Sequence, residues 1–230
     1  AVQMIVSIEW LKEFVKIKET SAELADVLSS IGLEAEDLRI FEGMQRVVIG
    51  KVTSVNKHPN ADRLNVCSVY DGEIDYQVVC GADNVAKDQI IAYAKVGSVL
   101  PGGFELKKIN LRGVESNGMI CSAKELNISE EHEGIIVLPK SCKVGADFIE
   151  EYGNKFLKIE LDITPNRPDA FSHYGIARDI SVSKDRELSK IKLYKKKALK
   201  NPTIKISTEH NNDCPRYVGG IVKNVSVGPF

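Results

Sequence analysis

The chain is poor in the residues that build several kinds of functional site. It has one tryptophan, and Phe, Trp and Tyr together make up 7% of its 230 residues. That leaves little material for extended base stacking. Its five cysteines, Cys67, Cys80, Cys121, Cys142 and Cys214, form no C-x-x-C pair. An odd, scattered set points to free thiols in a reducing compartment, and so to a cytoplasmic location. Without clustered Cys and His, a zinc site is excluded. The formal net charge is −1, so no whole-protein basic field exists and polyanion binding must rest on local patches. No apolar run approaches the ~18 residues of a membrane span, and no signal peptide is visible.

Catalytic and nucleotide motifs are also missing. No G-x-G-x-x-G follows a strand and no G-x-x-x-x-G-K-[ST] loop occurs. In "LRGVESNGMICSAKEL", Leu111 to Leu126, Ser116 stands three residues after Gly113, which is the wrong spacing for a nucleophile elbow. Asp169, Ser172 and His173 resemble a triad in print, but adjacent residues on one helix point apart. His173 is expected to cap or pack. Gly81-Ala82-Asp83-Asn84 reads as a turn at a strand end. The acidic runs around Glu34, Glu36, Asp37 and Glu130, Glu131, Glu133 read as solvated faces. The expectation is no catalytic residue, no metal site and no cofactor in these residues.

What is present is a soluble, globular composition, 43% hydrophobic and 27% charged. Met4 looks like the natural start, behind an added "AVQ". "SIEWLKEFV" predicts a helix capped by Ser7, with Ile8, Leu11 and Phe14 on one face. "TSAELADVLSSIG" carries a capping box, Thr20 and Glu23, and sets Leu24, Val27, Leu28 and Ile31 at helical spacing before Gly32. From Val47 to Val137 short β-rich runs alternate with turns, Asp71-Gly72 and Pro101-Gly102-Gly103 among them. Five or six such runs predict a small closed barrel. "FLKIELDI" then predicts a strand. The helix after it, capped by Asp169, would bury Phe171, Tyr174, Ala177 and Ile180. "KIKLYKKKALK", Lys190 to Lys200, has six lysines and no acid, so it reads as a solvated linker or an RNA contact. "RYVGGIVKNVSVGPF" predicts the first strand of a further domain.

The predicted barrel carries a set of polar loops. "NKHPNADRLNVCSV" projects Lys57, His58 and Arg63 as a basic edge, and Asn60 can bond its own backbone. The second loop supplies Arg112, Ser116 and Asn117. Lys and Arg can hold phosphates while amide and hydroxyl groups meet base edges. Between Phe41 and Glu151, however, 12 Lys and Arg face 16 Asp and Glu, which weakens any attraction not concentrated on one face.

"KHPNADRLNVCSVYDG", "QVVCGADNV" and "AKVGSVLPGGFELKKINLRGVESNGMICSAKEL" resemble OB-fold tRNA-binding domains. The flanks "MIVSIEWLKEFV…LADVLSSIGLEAE" and "LDITPNRPDAFSHYGIARDIS" resemble the beginning of bacterial phenylalanyl-tRNA synthetase β subunits. The resemblance implies an α+β, multidomain fold with an OB-fold barrel (42–151) inserted in a split α/β domain (1–41 and 152–190). A linker and the truncated start of an editing-type domain (191–230) would follow. It implies an N-terminal piece, inactive alone, of a ligase that attaches phenylalanine to tRNA using ATP and magnesium. The implied partners are an α subunit, in an (αβ)2 heterotetramer, and tRNA, with no membrane. The implied RNA-binding residues are Lys57, His58, Asn60, Arg63, Arg112, Ser116, Asn117 and Met119. A free-standing tRNA-binding module and a purely structural assembly domain stand as alternatives at this point.

Overall fold

A computed structural model describes residues 2–191, 205–207, 212–219, 221 and 224–226. The chain divides into two compact units, 1–190 and 191–230. The lysine run from 192 to 200 lies outside the described residues, as does much of the strand expected beyond Arg216. What is described beyond residue 190 carries no helix or strand. The larger unit is rich in sheet, with few helices.

Two distant parts of the sequence share one small antiparallel sheet. Strand β1 (Val2–Ser7) pairs with β11 (Lys158–Ile163), and β11 pairs with β2 (Glu34–Asp37). Alternation sends Val6, Ile159, Leu161 and Ile163 to one face. Helices α2 (Ser21–Ser30) and α4 (His173–Ser183) contribute Leu24, Leu28, Ile176, Ala177 and Ile180 to the same core. The capping box of α2 forms in full: Thr20 and Glu23 each bond the other's backbone N–H. Ser7 caps the single turn of α1 (Ile8–Leu11). On α4 the structure differs from the expected stripe. The N-cap is Ser172, bonding Gly175 N–H at 3.0 Å, while Asp169 is held by Arg167 and Arg178. Phe171 follows the 3-10 turn Pro168–Ala170, ahead of the helix and off its buried face, and is exposed.

The segment between these ends forms a six-stranded curled sheet. Its path is β10 (Val137–Leu138), β6 (Ile90–Val99), β3 (Gln45–His58), β4 (Ala61–Tyr70) and β5 (Asp75–Cys80), with β9 (Met119–Ile120) also on β6. The 14-residue β3 pairs with β6 along its first half and β4 along its second. Packing is tight at Gly50, where a Cβ would lie 2.9 Å from Val69 Cγ1. Strand β6 is apolar on both faces. Ile90, Ala92 and Ala94 join Leu126 and Phe148 in one cluster, while Ile91 and Tyr93 join Val69 and Val78 in another. Phe148 begins the short helix α3 (Phe148–Glu151), capped by Asp147.

The closed barrel expected from the strand count is not found. Among the described residues β10 and β5 end the path without pairing to each other, and β7 (Ile109–Leu111) with β8 (Val114–Ser116) makes a separate two-stranded ladder. Where a ladder would close the sheet, Ser116 Oγ accepts from Val79 N–H at 3.0 Å, and Asn117 N–H donates to Gln77 O at 2.8 Å. Gly118, at φ +120°, turns the backbone away before more pairs can form. After Ser122, the spacing Ser-x-x-Glu to Glu125 predicts a capped helix over "AKEL", but the structure has only a single turn there. The reciprocal Ser122–Glu125 bonds are present, but Asn127, at φ +57°, ends the turn.

Candidate nucleic-acid interface

Two hairpin tips are laced together. The β3–β4 connection carries His58, Pro59 and Asn60. The β7–β8 connection is Arg112-Gly113, with φ +49° and +91°, the backbone of a type I′ turn. Asn60 N–H donates to His58 Nδ1 at 3.0 Å, which places the ring proton on Nε2. Nε2 then donates to Leu111 O at 3.0 Å, 53 residues away in sequence. Asn60 Nδ2 donates to Arg112 O at 2.9 Å, and Asn110 Oδ1 accepts from Gly113 N–H at 2.8 Å. His58 is thus an internal clamp, 5% exposed. It does not project with Lys57 and Arg63, because both ring nitrogens are spent on backbone.

The clamp leaves Lys57, Asn60, Arg63 and Arg112 exposed on neighbouring tips. None of the three cations has an ion pair among the described residues, although Asp62 adjoins Arg63 in sequence. Lys107 is a further exposed cation beside this hairpin. Its neighbour Lys108 bonds Glu115 at 2.7 Å, and with Asn117 holds that carboxyl below the usual range.

Ser116, Asn117 and Met119 form a second group. Strand β8 separates it from Arg112 by about 13 Å along the chain. Ser116 is buried, and its hydroxyl donates to Gly118 O at 3.0 Å while accepting from Val79. The Asn117 carbonyl accepts from the Tyr93 hydroxyl in a short bond, and Asn117 Nδ2 donates to Glu115 at 3.2 Å. Asn117 and Met119 are half-buried. Beside Met119 a cleft of ≈700 Å³ is lined by Asp83, Glu125 and Glu133, with His132 among them. These carboxylates repel phosphate, so the cationic surface of this module is the pair of tips.

Other contacts were invisible in sequence. Asn84 grips Ile135 at both ends, Nδ2 to its carbonyl at 3.0 Å and Oδ1 from its N–H at 2.9 Å, across 51 residues. Buried Asp71 pairs with Lys95 at 2.5 Å while its other oxygen caps the β4–β5 turn. The three buried thiols offer no nucleophile: burial pushes Cys67 up to about 12 and raises Cys80 and Cys121 as well. Among the described residues no group of three or more His, Cys, Asp or Glu is placed to hold a metal, and no helix is long and apolar enough to cross a membrane.

Residues 47–147 match the family described as "Putative tRNA binding domain". Over 97% of its length the chain is 41% identical to a phenylalanine–tRNA ligase β subunit of Fusobacterium nucleatum. Over 98% it is 42% identical to that of Syntrophotalea carbinolica. It spans 28–29% of the length of these relatives. Among solved structures, a MetRS related protein from Pyrococcus horikoshii aligns with 45% of this chain and 87% of its own, at 23% identity and a TM-score of 0.33. The chain is similar to phenylalanine–tRNA ligase β subunits along nearly its whole length.

Proposed function

From that similarity we propose that the chain is the N-terminal part of a β subunit of phenylalanine–tRNA ligase, and that it supplies a tRNA-binding and architectural module without a catalytic site. The observation that carries the RNA reading is the clamp. His58 and Asn60 tie the hairpin that carries Lys57 and Arg63 to the turn that carries Arg112, and all three cations are exposed and without ion pairs among the described residues. Fixed cations at neighbouring positions suit a phosphate backbone. In this reading residues 42–151 are an OB-fold domain, set within a split domain made of 1–41 and 152–190. Residues 191–230 lead into an editing-type domain. The sharing of one sheet by β1, β2 and β11 supports the split. The intact enzyme would be a cytoplasmic (αβ)2 heterotetramer with an α subunit. ATP and magnesium would be used by parts of the enzyme other than these residues.

The acidic balance between Phe41 and Glu151 favours one second reading, a module that only supports assembly. A salt titration separates the two. Binding of a transcribed tRNA should weaken with salt, and replacing Lys57, Arg63 and Arg112 by Gln should reduce the log–log slope by about 2–3, at ~0.7–0.9 per lost phosphate contact. A slope unchanged by the triple substitution would leave the assembly reading in its place.

A further inference from the structure

A second cationic surface lies on the module built from β1, β2 and β11, away from the hairpin tips. The end of the larger unit folds back along its beginning. Leu188 bridges Val15, and Ser189 N–H donates to Phe14 O at 2.7 Å. Arg186 crosses the same line, donating to Lys16 O at 2.7 Å and to Glu19 through both terminal nitrogens, at 2.8 and 2.5 Å. Glu19 neutralises Arg186, so the lysines of this strip set its potential.

Lys12, Lys16 and Lys18 are exposed and rim a cavity of ≈690 Å³ floored by Val15 and Ile17. Lys16 and Lys18 have no ion pair among the described residues, and the partner of Lys12 is the exposed Glu9. Among the described residues Glu187 is the one uncommitted acid on the rim. Lys190, also exposed, follows Ser189 directly, so the bond from Ser189 to Phe14 sets it beside this strip. In sequence Lys190 opens the stretch that holds six lysines and no acid up to Lys200.

The chemistry of the rim narrows the ligand. Lysine is a compact point charge on a flexible stem and forms no planar fork for a single carboxylate. Several such charges spread along one strip match a repeating polyanion better than one small anion. We propose that Lys12, Lys16, Lys18 and Lys190 form a second RNA-backbone contact, independent of the hairpin tips. The proposal takes RNA as the ligand from the reading above, but it does not need the tips to bind.

The test uses the 230-residue chain and a transcribed phenylalanine-accepting tRNA, with binding followed by anisotropy across a KCl series. K16Q/K18Q/K190Q is compared with K57Q/R63Q/R112Q and with the two sets combined. The lysine set should lower the log–log slope by about 2–3 while leaving the melting temperature unchanged, and the combined set should lower it by the sum. A lowered slope in the lysine set with none in the tip set supports this surface and removes the hairpin reading. An unchanged slope in the lysine set overturns the proposal. So does displacement of tRNA by poly-L-glutamate at the same charge concentration as by unlabelled tRNA, which would assign the strip to an acidic protein segment.

Discussion

His58 separates a structural clamp from a surface ligand, so substituting it tests the interface directly. In His58→Ala the Asn60 N–H and the Leu111 carbonyl lose their partners, bonds of 3.0 Å each. Each such bond is worth about 1 kcal/mol net, and more where water cannot replace it. Loss of a ring that is 5% exposed adds a packing deficit. The expected cost is about 2–3 kcal/mol. For a unit of this size it corresponds to a fall in melting temperature of about 4–12 °C. Thermal denaturation followed by circular dichroism reads it. At 15 °C, where the variant remains folded, Asn60 still ties the Arg112 turn, so the salt slope of tRNA binding should fall by less than the ~0.7–0.9 of one lost phosphate contact, because His58 itself reaches no phosphate. Arg112→Gln should do the opposite, with an unchanged melt and a slope lowered by ~0.7–0.9. A His58→Ala protein that melts like the parent but loses slope would refute the clamp and return His58 to the surface.

Three other outcomes follow from the packing and the titrating groups. Gly118→Ala should destabilise by about 3–5 kcal/mol in urea denaturation, since its Cβ would sit 2.4 Å from Ala94 O at φ +120°. Gly102→Ala, at φ +86° but with open space around it, should cost only about 1 kcal/mol. Arg186 holds the Glu19 carboxyl at about 2 rather than 4.5, so the stability it confers is full above pH 4.5 and is lost as pH falls toward 2. Glu19→Gln should therefore cost about 1–3 kcal/mol at neutral pH and flatten acid unfolding in that window. His173 is buried, accepts Ser7 N–H at 3.0 Å and stacks on Trp10 at 4.0 Å, and burial lowers its pKa below 6.5. The unfolded chain therefore takes the proton first, and stability should decline as pH drops below 6.5. Fluorescence of Trp10, the single tryptophan, follows the urea midpoint across that range; a midpoint equally pH-dependent in His173→Phe would remove His173 as the cause.

Local chemistry was legible in the sequence, and long-range closure was not. The Thr20–Glu23 box could be read because both partners lie within one turn. The Ser122–Glu125 bonds were legible for the same reason, but not the length of the helix. Its end depends on Asn127, whose side chain donates to Ile40 O across 87 residues. Asp169 looked like a cap because nothing local revealed that two arginines would claim it. The strands were visible from apolar alternation and turn residues, yet their count could not say whether the sheet closes. That depended on Ser116 taking the Val79 N–H with its hydroxyl. Of the eight proposed RNA-binding residues, Lys57, Asn60, Arg63 and Arg112 stand exposed, while His58 and Ser116 are consumed in holding the loops. Composition identifies polar loops, but which polar groups remain free is decided by partners some 37 to 53 residues away.

An acidic module can still bind a polyanion if its charges are unevenly placed. At physiological ionic strength the screening length is about 8 Å, so a phosphate responds to the few charges nearest it and hardly to the sum over the surface. Several of the acids between Phe41 and Glu151 are committed within the fold: Asp71 to Lys95, Asp88 to Lys51 and Glu115 to Lys108. Asp83, Glu125 and Glu133 gather at one cleft. The clamp between His58, Asn60 and the Arg112 turn does the reverse for cations, tying the hairpin of Lys57 and Arg63 to the turn of Arg112. The acidic cleft then acts with the tips rather than against them: it penalises a strand that strays toward Met119 and favours one that follows the hairpins. On that logic Glu125→Gln and Glu133→Gln should raise tRNA affinity while reducing its preference among RNAs. A fall in affinity would mean that the cleft, and not the tips, receives the RNA.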